Sequence, residues 1–423
     1  MSPSTDIPAN ISARLSSAEL AEFLREAVRA QRFEETADAL LGGAAAGLHP
    51  SLDLAVAVFP PDEAPVFANV LFSREHRQGL VADISATAGP VRNIHYVADQ
   101  LDEQKNSAVW LPGADWQVLT WRTLAGEDGQ PRIVAPYPGS LIKLMILVAV
   151  ARQVDLGLTR WDAEWTWQER RRTVREWAFD MTVVSCNDAT SAMVALLHDV
   201  GALRREGGVE VHNAAEALFR DLGLSTLRLA NTKPDGGWRN ADGAGVGQLQ
   251  MTAWDALRLL WLLDEQAPAA PWLPADAAPL LKPASHAEVT RCLREQGLHQ
   301  SLSSSLLVNI AGWVRGIPAR VPERWLQADG SACLTEELVY PGDLRPEREQ
   351  CDVSFAHKTG NTENYTADAG IVQGLGASQR HYLIALTSNL GSRYAPDPHC
   401  ATSWRIPALA GAIDARLRAW LEP

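Results

Sequence analysis

Cysteine is scarce in this chain, and the few that occur lack the spacing of a disulfide framework or a metal site. The 423 residues include five cysteines, with no CxxC pair. An odd, widely spaced set in a long chain indicates buried free thiols, although an oxidising compartment would allow Cys333 and Cys351 to pair. The ten histidines are scattered and show no HExxH or comparable spacing. The sequence therefore predicts no metal and no cofactor.

Positive charge is also in deficit, and no long apolar run is present. Lysine and arginine number 38 against 51 aspartate and glutamate, a formal net charge of −13. An acidic surface argues against nucleic acid or an anionic membrane as the main partner. No stretch approaches the roughly 18 apolar residues of a membrane-spanning helix. We therefore expect a small-molecule partner, no nucleic acid and no membrane, and the oligomeric state stays open.

The N-terminus, MSPSTDIPANISARLSSAELAEF, lacks both the basic start and the apolar stretch of a secretory signal. On this ground we expect a cytoplasmic protein. A secreted protein whose leader has been removed would show the same sequence.

Strand-like sequence lies towards both ends of the chain, and helical sequence lies between. The segments SLDLAVAVF and APVFANVLF near the start, and VSFAHKTG, DAGIVQGLG and RHYLIALTSNL near the end, are rich in β-branched and aromatic residues. Helical periodicity marks residues 15–43, 139–157, several runs between about 172 and 265, and 407–421. This order predicts an α+β fold in which the two ends of the chain share one sheet.

The first motif of interest is Ser140-Leu141-Ile142-Lys143, at the start of an apolar helix. Residues three apart on a helix lie about 60° apart around its axis, so Ser140 and Lys143 share a face. A serine in the first turn sits at the positive end of the helix dipole, and a lysine can act as its base if burial lowers the lysine pKa. The alternative is an accidental pattern in which Lys143 extends to the surface.

Two further motifs follow along the chain. Ser185-Cys186-Asn187 opens a later helix, where the alternative to chemistry is simple helix capping by Ser185 or Asn187. Lys358-Thr359-Gly360 ends a strand, where a lysine and a hydroxyl form an anion-binding edge and the glycine lets a substrate backbone lie close. Its alternative is an ordinary turn.

Together and in this order, SxxK, SxN and KTG are the signature of class A β-lactamases and penicillin-binding proteins. The chain resembles that superfamily of active-site serine enzymes over about residues 105–400, including YPGSLIKLMILVAVARQVDLG and HKTGNTENYTADAGIV. The resemblance implies a serine β-lactamase/transpeptidase-like fold: an antiparallel sheet flanked by helices, plus a mostly helical subdomain. It places the catalytic domain at 101–423, with the helical subdomain at about 160–300 and an insertion at about 310–350. Residues 1–100 would be an N-terminal extension, a helix then strands, of unknown role.

The resemblance also implies catalytic roles for four residues. Ser140 would attack a carbonyl carbon and become acylated, and Lys143 would accept its proton. Ser185, assisted by Lys358, would relay a proton towards the leaving nitrogen.

Four positions would bind the substrate. Asn187 would hold a side-chain amide of the substrate, and Thr359 a carboxylate or carbonyl next to Gly360. The backbone N–H groups of Ser140 and Asn361 would form the oxyanion hole.

Three departures from the family pattern bear on function. Cys186 replaces the aspartate of the second motif, and the arginine that usually follows KTG is missing, with Asp368 present instead. In the segment RLANTKPDGGWRN, which aligns with the family's omega loop, Lys233 stands where the deacylating glutamate is expected, and Asp235 is the nearest carboxylate. Without a carboxylate to activate water, an acyl-enzyme should persist or pass its acyl group to an amine.

The sequence therefore predicts a serine hydrolase or acyltransferase that forms an acyl-enzyme with a small amide, ester or β-lactam and is not an efficient β-lactamase. One alternative is D,D-peptidase-like or β-lactamase hydrolysis. Another, from a different class, is a penicillin-binding sensor that is acylated without turnover. The fifteen tryptophans, Trp238 of the omega-like segment among them, are expected mainly in the core, although an aromatic substrate cleft is the alternative.

Overall fold

A computed structural model of the chain describes residues 15–99, 115–238 and 248–422. Residues 1–14 and 100 of the expected N-terminal extension lie outside this range, as do residues 239 and 240 of the omega-like segment. Within the described ranges, no helix has the length and apolar character needed to cross a membrane.

The described residues form helices and strands in the following order. The helices are α1 (Ser17–Ala30), α2 (Lys143–Asp155), α3 (Val174–Val183), α4 (Asn187–Asp199), α5 (Ala214–Asp221), α6 (Ala253–Trp261), α7 (Pro283–Arg294), α8 (Arg345–Gln350) and α9 (Arg405–Leu421). The strands are β1 (Leu52–Val58), β2 (Val66–Phe72), β3 (Leu80–Val81), β4 (His95–Ala98), β5 (Arg122–Ala125), β6 (Arg132–Ala135), β7 (Glu164–Trp167), β8 (Arg170–Thr173), β9 (Leu203–Glu206), β10 (Val209–Asn213), β11 (Arg228–Leu229), β12 (Leu249–Gln250), β13 (Ala332–Cys333), β14 (Val339–Tyr340), β15 (Val353–Asn361), β16 (Thr366–Gly374) and β17 (His381–Ser388).

The centre of the fold is a six-stranded antiparallel sheet in the order β15-β16-β17-β1-β2-β3. Strand β1 pairs along its whole length with β17, from Leu52 opposite Ser388 to Val58 opposite Tyr382. The prediction that the two ends of the chain share one sheet is therefore confirmed, as is the α+β class.

Alternation along β1 explains how both faces of the sheet are covered. Leu54, Val56 and Val58 point to the face of the sheet that packs against α1 and α9. The small side chains of Ala55 and Ala57 point to the opposite face, on which α6 lies. Successive side chains of a strand point to opposite faces, and small residues on one face let a helix approach closely. Helix α6 contacts β1 and β17 on that side.

The predicted division at residue 100 is wrong as a boundary between structural units. Strands β1 and β2 lie inside the main sheet, and α1 packs on β2 and on α9. Helix α1 begins with the capping box expected from its sequence, formed by Ser16 and Glu19. Strands β1, β2 and β3 pair with one another in sequence order, and β1 joins them to the rest of the sheet by pairing with β17 at the far end of the chain.

Residues 174–294 contain α3 to α7 and the short ribbons β9–β10 and β11–β12, and α6 and α7 contact strands of the main sheet. The helical subdomain expected at about 160–300 stays a prediction. The predicted insertion at about 310–350 contains the ribbon β13–β14 and α8. Its Trp325 indole donates to the Glu295 carbonyl at 3.0 Å, and its Tyr340 hydroxyl to the Gln300 amide oxygen at 2.7 Å. The insertion is thus anchored on the chain that follows α7.

Candidate active site

The first motif lies in a tight turn that leads into α2. Residues Gly139–Ile142 form a 3₁₀ turn and α2 begins at Lys143, whereas the sequence predicted one α-helix from 139. Gly139 has φ +54°, a left-handed conformation that glycine adopts at little cost. Ser140 is half-buried in this turn, where the first N–H groups have no partner within the helix and remain available to a ligand.

The third motif lies directly against this turn, at the end of edge strand β15. A methyl group added to Gly360 would collide with the Pro138 carbonyl oxygen and lie 2.6 Å from the Leu141 amide nitrogen and 2.9 Å from that of Ser140. The lack of a side chain at Gly360 therefore lets the protein's own turn Gly139–Ile142 pack closely, whereas the sequence suggested that it lets a substrate backbone lie close. A methyl group on Gly139 would lie 3.3 Å from the Asn361 amide nitrogen. The backbone nitrogens of Ser140 and Asn361, the two predicted oxyanion donors, therefore both lie where the turn Gly139–Ile142 packs on the end of β15, a contact that we call the seam.

Gly360→Ala is expected to push the end of β15 away from the turn Gly139–Ile142. Because backbone atoms would have to move, we expect destabilisation of about 1–3 kcal/mol and acyl-adduct formation about 100-fold slower. Urea unfolding and intact-protein mass spectrometry measure the two effects. Gly89→Ala, where the new methyl would meet only the Ser85 hydroxyl at 3.1 Å, is the control. Wild-type adduct formation in Gly360→Ala would contradict this account of the seam.

Lys143 is fully buried, and its ammonium is directed to the second motif. Its Nζ donates to the Ser185 carbonyl at 2.6 Å and to the Asn187 side-chain oxygen at 2.9 Å, and lies 3.2 Å from the Ser185 hydroxyl. The alternative in which Lys143 extends to the surface is therefore wrong. A buried lysine with such partners can exchange a proton with the hydroxyl beside it.

Ser185 presents its hydroxyl through an unusual backbone conformation. Its φ is +59°, which is uncommon for a residue with a side chain and is found mostly where surrounding contacts enforce it. The Ser185 hydroxyl lies 3.2 Å from Lys143 Nζ and 3.0 Å from Lys358 Nζ. One hydroxyl thus bridges the lysines of the first and third motifs.

Helix capping does not account for the second motif. The N-cap of α4 is Cys186, which makes no capping hydrogen bond with its side chain. The side chains of Ser185 and Asn187 accept from lysines instead, although Asn187 remains exposed. The sequence left capping and chemistry as alternatives, and the structure removes capping by these two residues.

The N-cap position of α4, at which Cys186 makes no side-chain hydrogen bond, offers a site for a stabilising substitution. Cys186→Asp is expected to raise the free energy of unfolding by about 0.5–1 kcal/mol, because aspartate at an N-cap accepts from the first free N–H groups. Cys186→Ala should leave it unchanged. Urea denaturation of the three proteins measures the difference, and equal stability of the aspartate and alanine variants would refute it.

Lys358 is the second buried lysine of the site. Its Nζ donates to the Ser185 hydroxyl and to the Thr359 carbonyl, the latter at 2.8 Å. Burial lowers the pKa of Lys358 to about 7, and the negative charge of Asp368 opposes this only in part. A group with that pKa can hold or release a proton near neutral pH.

Asp368 does not take the place of the missing arginine. It is fully buried and faces away from Lys358, where its carboxylate bonds the His357 ring at 2.8 Å and accepts from the Leu302 amide at 3.2 Å. Because successive side chains of a strand point to opposite faces, His357 also faces away from Lys358. This pair belongs to the core behind the site.

The omega-like segment turns tightly beside α4. Lys233 N–H donates to the Gly237 carbonyl at 2.8 Å, and Gly236 N–H to the Lys233 carbonyl at 3.0 Å. Asp235 is exposed, and its carboxylate accepts from Gly237 N–H at 3.1 Å, so it serves the turn. The segment's Trp238 is buried, and its ring centroid lies 5.7 Å from Lys143 Nζ. Sequence reasoning placed Trp238 in this segment without connecting it to Lys143.

No protein-family model matches the chain, and no curated protein sequence matches it. Among solved structures, the chain is similar to PBP-A at 14% identity, with 96% of this chain and 97% of that chain covered and a TM-score of 0.44. A variant of PBP-A in an acyl-enzyme complex with penicillin G matches at 16% identity over 67% of this chain and 82% of that chain, with a TM-score of 0.41. A class A β-lactamase from Bacteroides cellulosilyticus matches at 13% identity over 96% and 98%, with a TM-score of 0.42.

The remaining site predictions have the following outcome. Thr359 is buried beside Lys358, and Asn361 is half-buried with its side-chain oxygen accepting from the Thr366 hydroxyl at 3.0 Å. Their substrate-binding roles stay predictions. In the part of the chain that the structure describes, no three metal-ligating side chains come together, and all five cysteines are free thiols.

Proposed function

We propose that the protein is a β-lactamase-like serine hydrolase or acyltransferase that forms an acyl ester on Ser140 with a small amide, ester or β-lactam. The observation that carries the proposal is the Ser185 hydroxyl, which lies 3.2 Å from the Nζ of Lys143 and 3.0 Å from that of Lys358. Lys143, at one end of this chain of hydrogen-bonded groups, directly follows the turn that holds Ser140. The charge of −13 supports a small-molecule substrate over nucleic acid or an anionic membrane.

The geometry supports a specific order of proton transfers. Ser140 Oγ forms a bond to the carbonyl carbon while its proton passes to neutral Lys143. The bond from that carbon to the leaving nitrogen or oxygen then breaks, and the leaving atom takes a proton from Ser185, which is replenished from Lys143. Lys358 donates to the Ser185 oxygen and so stabilises its negative charge during the relay.

The oxyanion would be held at the seam between the first and third motifs. The backbone nitrogens of Ser140 and Asn361 lie at this seam, one in the turn Gly139–Ile142 and the other at the end of β15, and in this proposal their N–H groups donate to the oxyanion. Each such donor typically contributes about 3 kcal/mol to acyl transfer.

Release of the acyl group is the slow step in this proposal. Lys233 occupies the position of the expected glutamate, and Asp235 is exposed and bonded within its own turn. We therefore expect neither side chain to take a proton from water at Ser140. A long-lived acyl-enzyme suits a transferase, or a sensor that is acylated once.

The proposal is tested by the mass of the intact protein during incubation with a fluorescent penicillin and, separately, a fluorophosphonate. We expect one adduct per chain that outlasts its formation time, no adduct in Ser140→Ala, and a normal adduct in Ser331→Ala. An added amine should shorten the adduct's lifetime if the enzyme is a transferase and leave it unchanged if it is a sensor. The wild-type protein forming no adduct would refute the nucleophile. Rapid penicillin hydrolysis that depends on Ser140 would refute slow release.

A further inference from the structure

We propose that Trp238 is the residue that protects the acyl ester on Ser140 from water. Its indole packs on Lys143 and so blocks the approach of a water to Lys143 from that side. The inference rests on the proposed acyl-serine and concerns its lifetime.

The contact between the two side chains is direct. The Trp238 ring centroid lies 5.7 Å from Lys143 Nζ, within the roughly 6 Å over which a cation and an aromatic face attract. The same Nζ lies 3.2 Å from the Ser185 hydroxyl, so the indole borders the proton relay itself. Trp238 is only 5% exposed, so its ring is buried beside Lys143 and does not extend into solvent.

The segment that carries Trp238 is fixed from both sides. Gly236 has φ +88°, and a methyl group there would collide with the Ser191 carbonyl oxygen of α4. Thr232, at the start of the turn, is buried and bonds the His198 ring at 3.0 Å. Because the turn is pressed against α4, the ring two residues after Gly236 has little freedom to leave Lys143.

An indole at this place opposes hydrolysis in two ways. Hydrolysis needs a water whose oxygen bonds the ester carbon, whose proton goes to a base, and which displaces Ser140 Oγ. The indole is a donor only, so it takes no proton, and its apolar body displaces water. Its π face also favours the charged form of Lys143 over the neutral form, and only the neutral form could take a proton from water.

Acylation is affected much less by the same contact. Lys143 is charged after it has taken the proton of Ser140 and before it passes that proton to Ser185, so the indole stabilises the intermediate of acylation. The inference therefore predicts that changes at Trp238 alter adduct lifetime far more than the rate of adduct formation.

Substitution of Trp238 by phenylalanine, alanine or histidine separates the effect on adduct lifetime from the effect on the rate of adduct formation. Trp420→Ala on α9 is the control for loss of a half-buried tryptophan elsewhere. With penicillin as the probe, Trp238→Phe should keep the adduct lifetime within about threefold, because a ring face remains. Trp238→Ala and Trp238→His should shorten the lifetime at least about tenfold, the first by admitting water and the second by adding a base. Formation rates should stay within about fivefold of wild type in all three.

The readout is the mass of the intact protein after removal of free penicillin, with circular dichroism to establish folding. Wild-type lifetime in a folded Trp238→His or Trp238→Ala protein overturns the inference and leaves the acyl-serine in place. If alanine prevents folding, the histidine variant decides alone. A wild-type protein that forms no adduct refutes the proposed function, and this inference with it.

Discussion

Lys143→Met is expected to form the Ser140 adduct at least about 1000-fold more slowly than the wild type, because a positioned base contributes about 100- to 10,000-fold. Methionine fills a similar volume but can neither accept the serine proton nor bond Ser185 and Asn187. Lys143 is fully buried among these groups, so water does not readily replace it. The rate is measured by intact mass with penicillin in excess.

Lys143→Arg distinguishes the base from a merely structural cation. Arginine keeps the positive charge and the hydrogen-bond donors but cannot lose a proton in a protein. We therefore expect it to be as slow as methionine. Lys282→Met, at an exposed lysine before α7, is the matched control and should leave the rate unchanged. Adduct formation within tenfold of wild type in Lys143→Arg would assign the proton to another group.

Lys358→Met is expected to slow adduct formation about 100-fold and yet to stabilise the folded protein at pH 6. Burial lowers the pKa of Lys358 from 10.5 to about 7, so below pH 7 the fold holds a charge whose desolvation costs on the order of 5 kcal/mol. Loss of two hydrogen bonds from the lysine offsets part of the gain. We expect a net increase in the free energy of unfolding of about 1–3 kcal/mol.

The sign of the pH dependence follows from the lowered pKa. Between about pH 7 and 10.5 the unfolded chain holds a proton on Lys358 that the folded protein lacks, so wild-type stability rises with pH across this window. The advantage of Lys358→Met should therefore shrink between pH 7 and pH 10. Urea unfolding of both proteins at pH 6, 8 and 9.5 measures this. A variant less stable than wild type at pH 6, or an advantage that grows with pH, would contradict the buried-charge account.

Motif order was enough to predict which side chains of the site come together, because SxxK and KTG carry their chemistry in the local sequence. Lys143, Ser185 and Lys358 lie within hydrogen-bond distance along one chain of groups. The φ of +59° at Ser185 could not be read from its sequence, since serine adopts it only where the surrounding fold enforces it. The indole of Trp238 on Lys143 depends on a turn packed against α4, which a linear pattern does not encode.

The domain boundary failed for a related reason. β-Branched and aromatic residues identified β1 and β2 as strands, but the partner of β1 on its other side, β17, lies hundreds of residues away and leaves no local signal. A strand-rich N-terminal segment outside the three motifs therefore suggested an extension, although it supplies β1, β2 and β3, one half of the main sheet.

That long-range pairing also sets when, during synthesis, the candidate site can first form. Ser51 N–H donates to the Asn389 side-chain oxygen at 2.8 Å across 338 residues of sequence, beside the pairing of β1 with β17. The entropy of closing so long a loop must be met before the sheet can form. During synthesis, Ser140, Lys143 and Ser185 emerge well before the strand that completes their site. The growing chain therefore carries Ser140 without the proposed partner Lys358, and without the completed sheet, until β15 to β17 have been made.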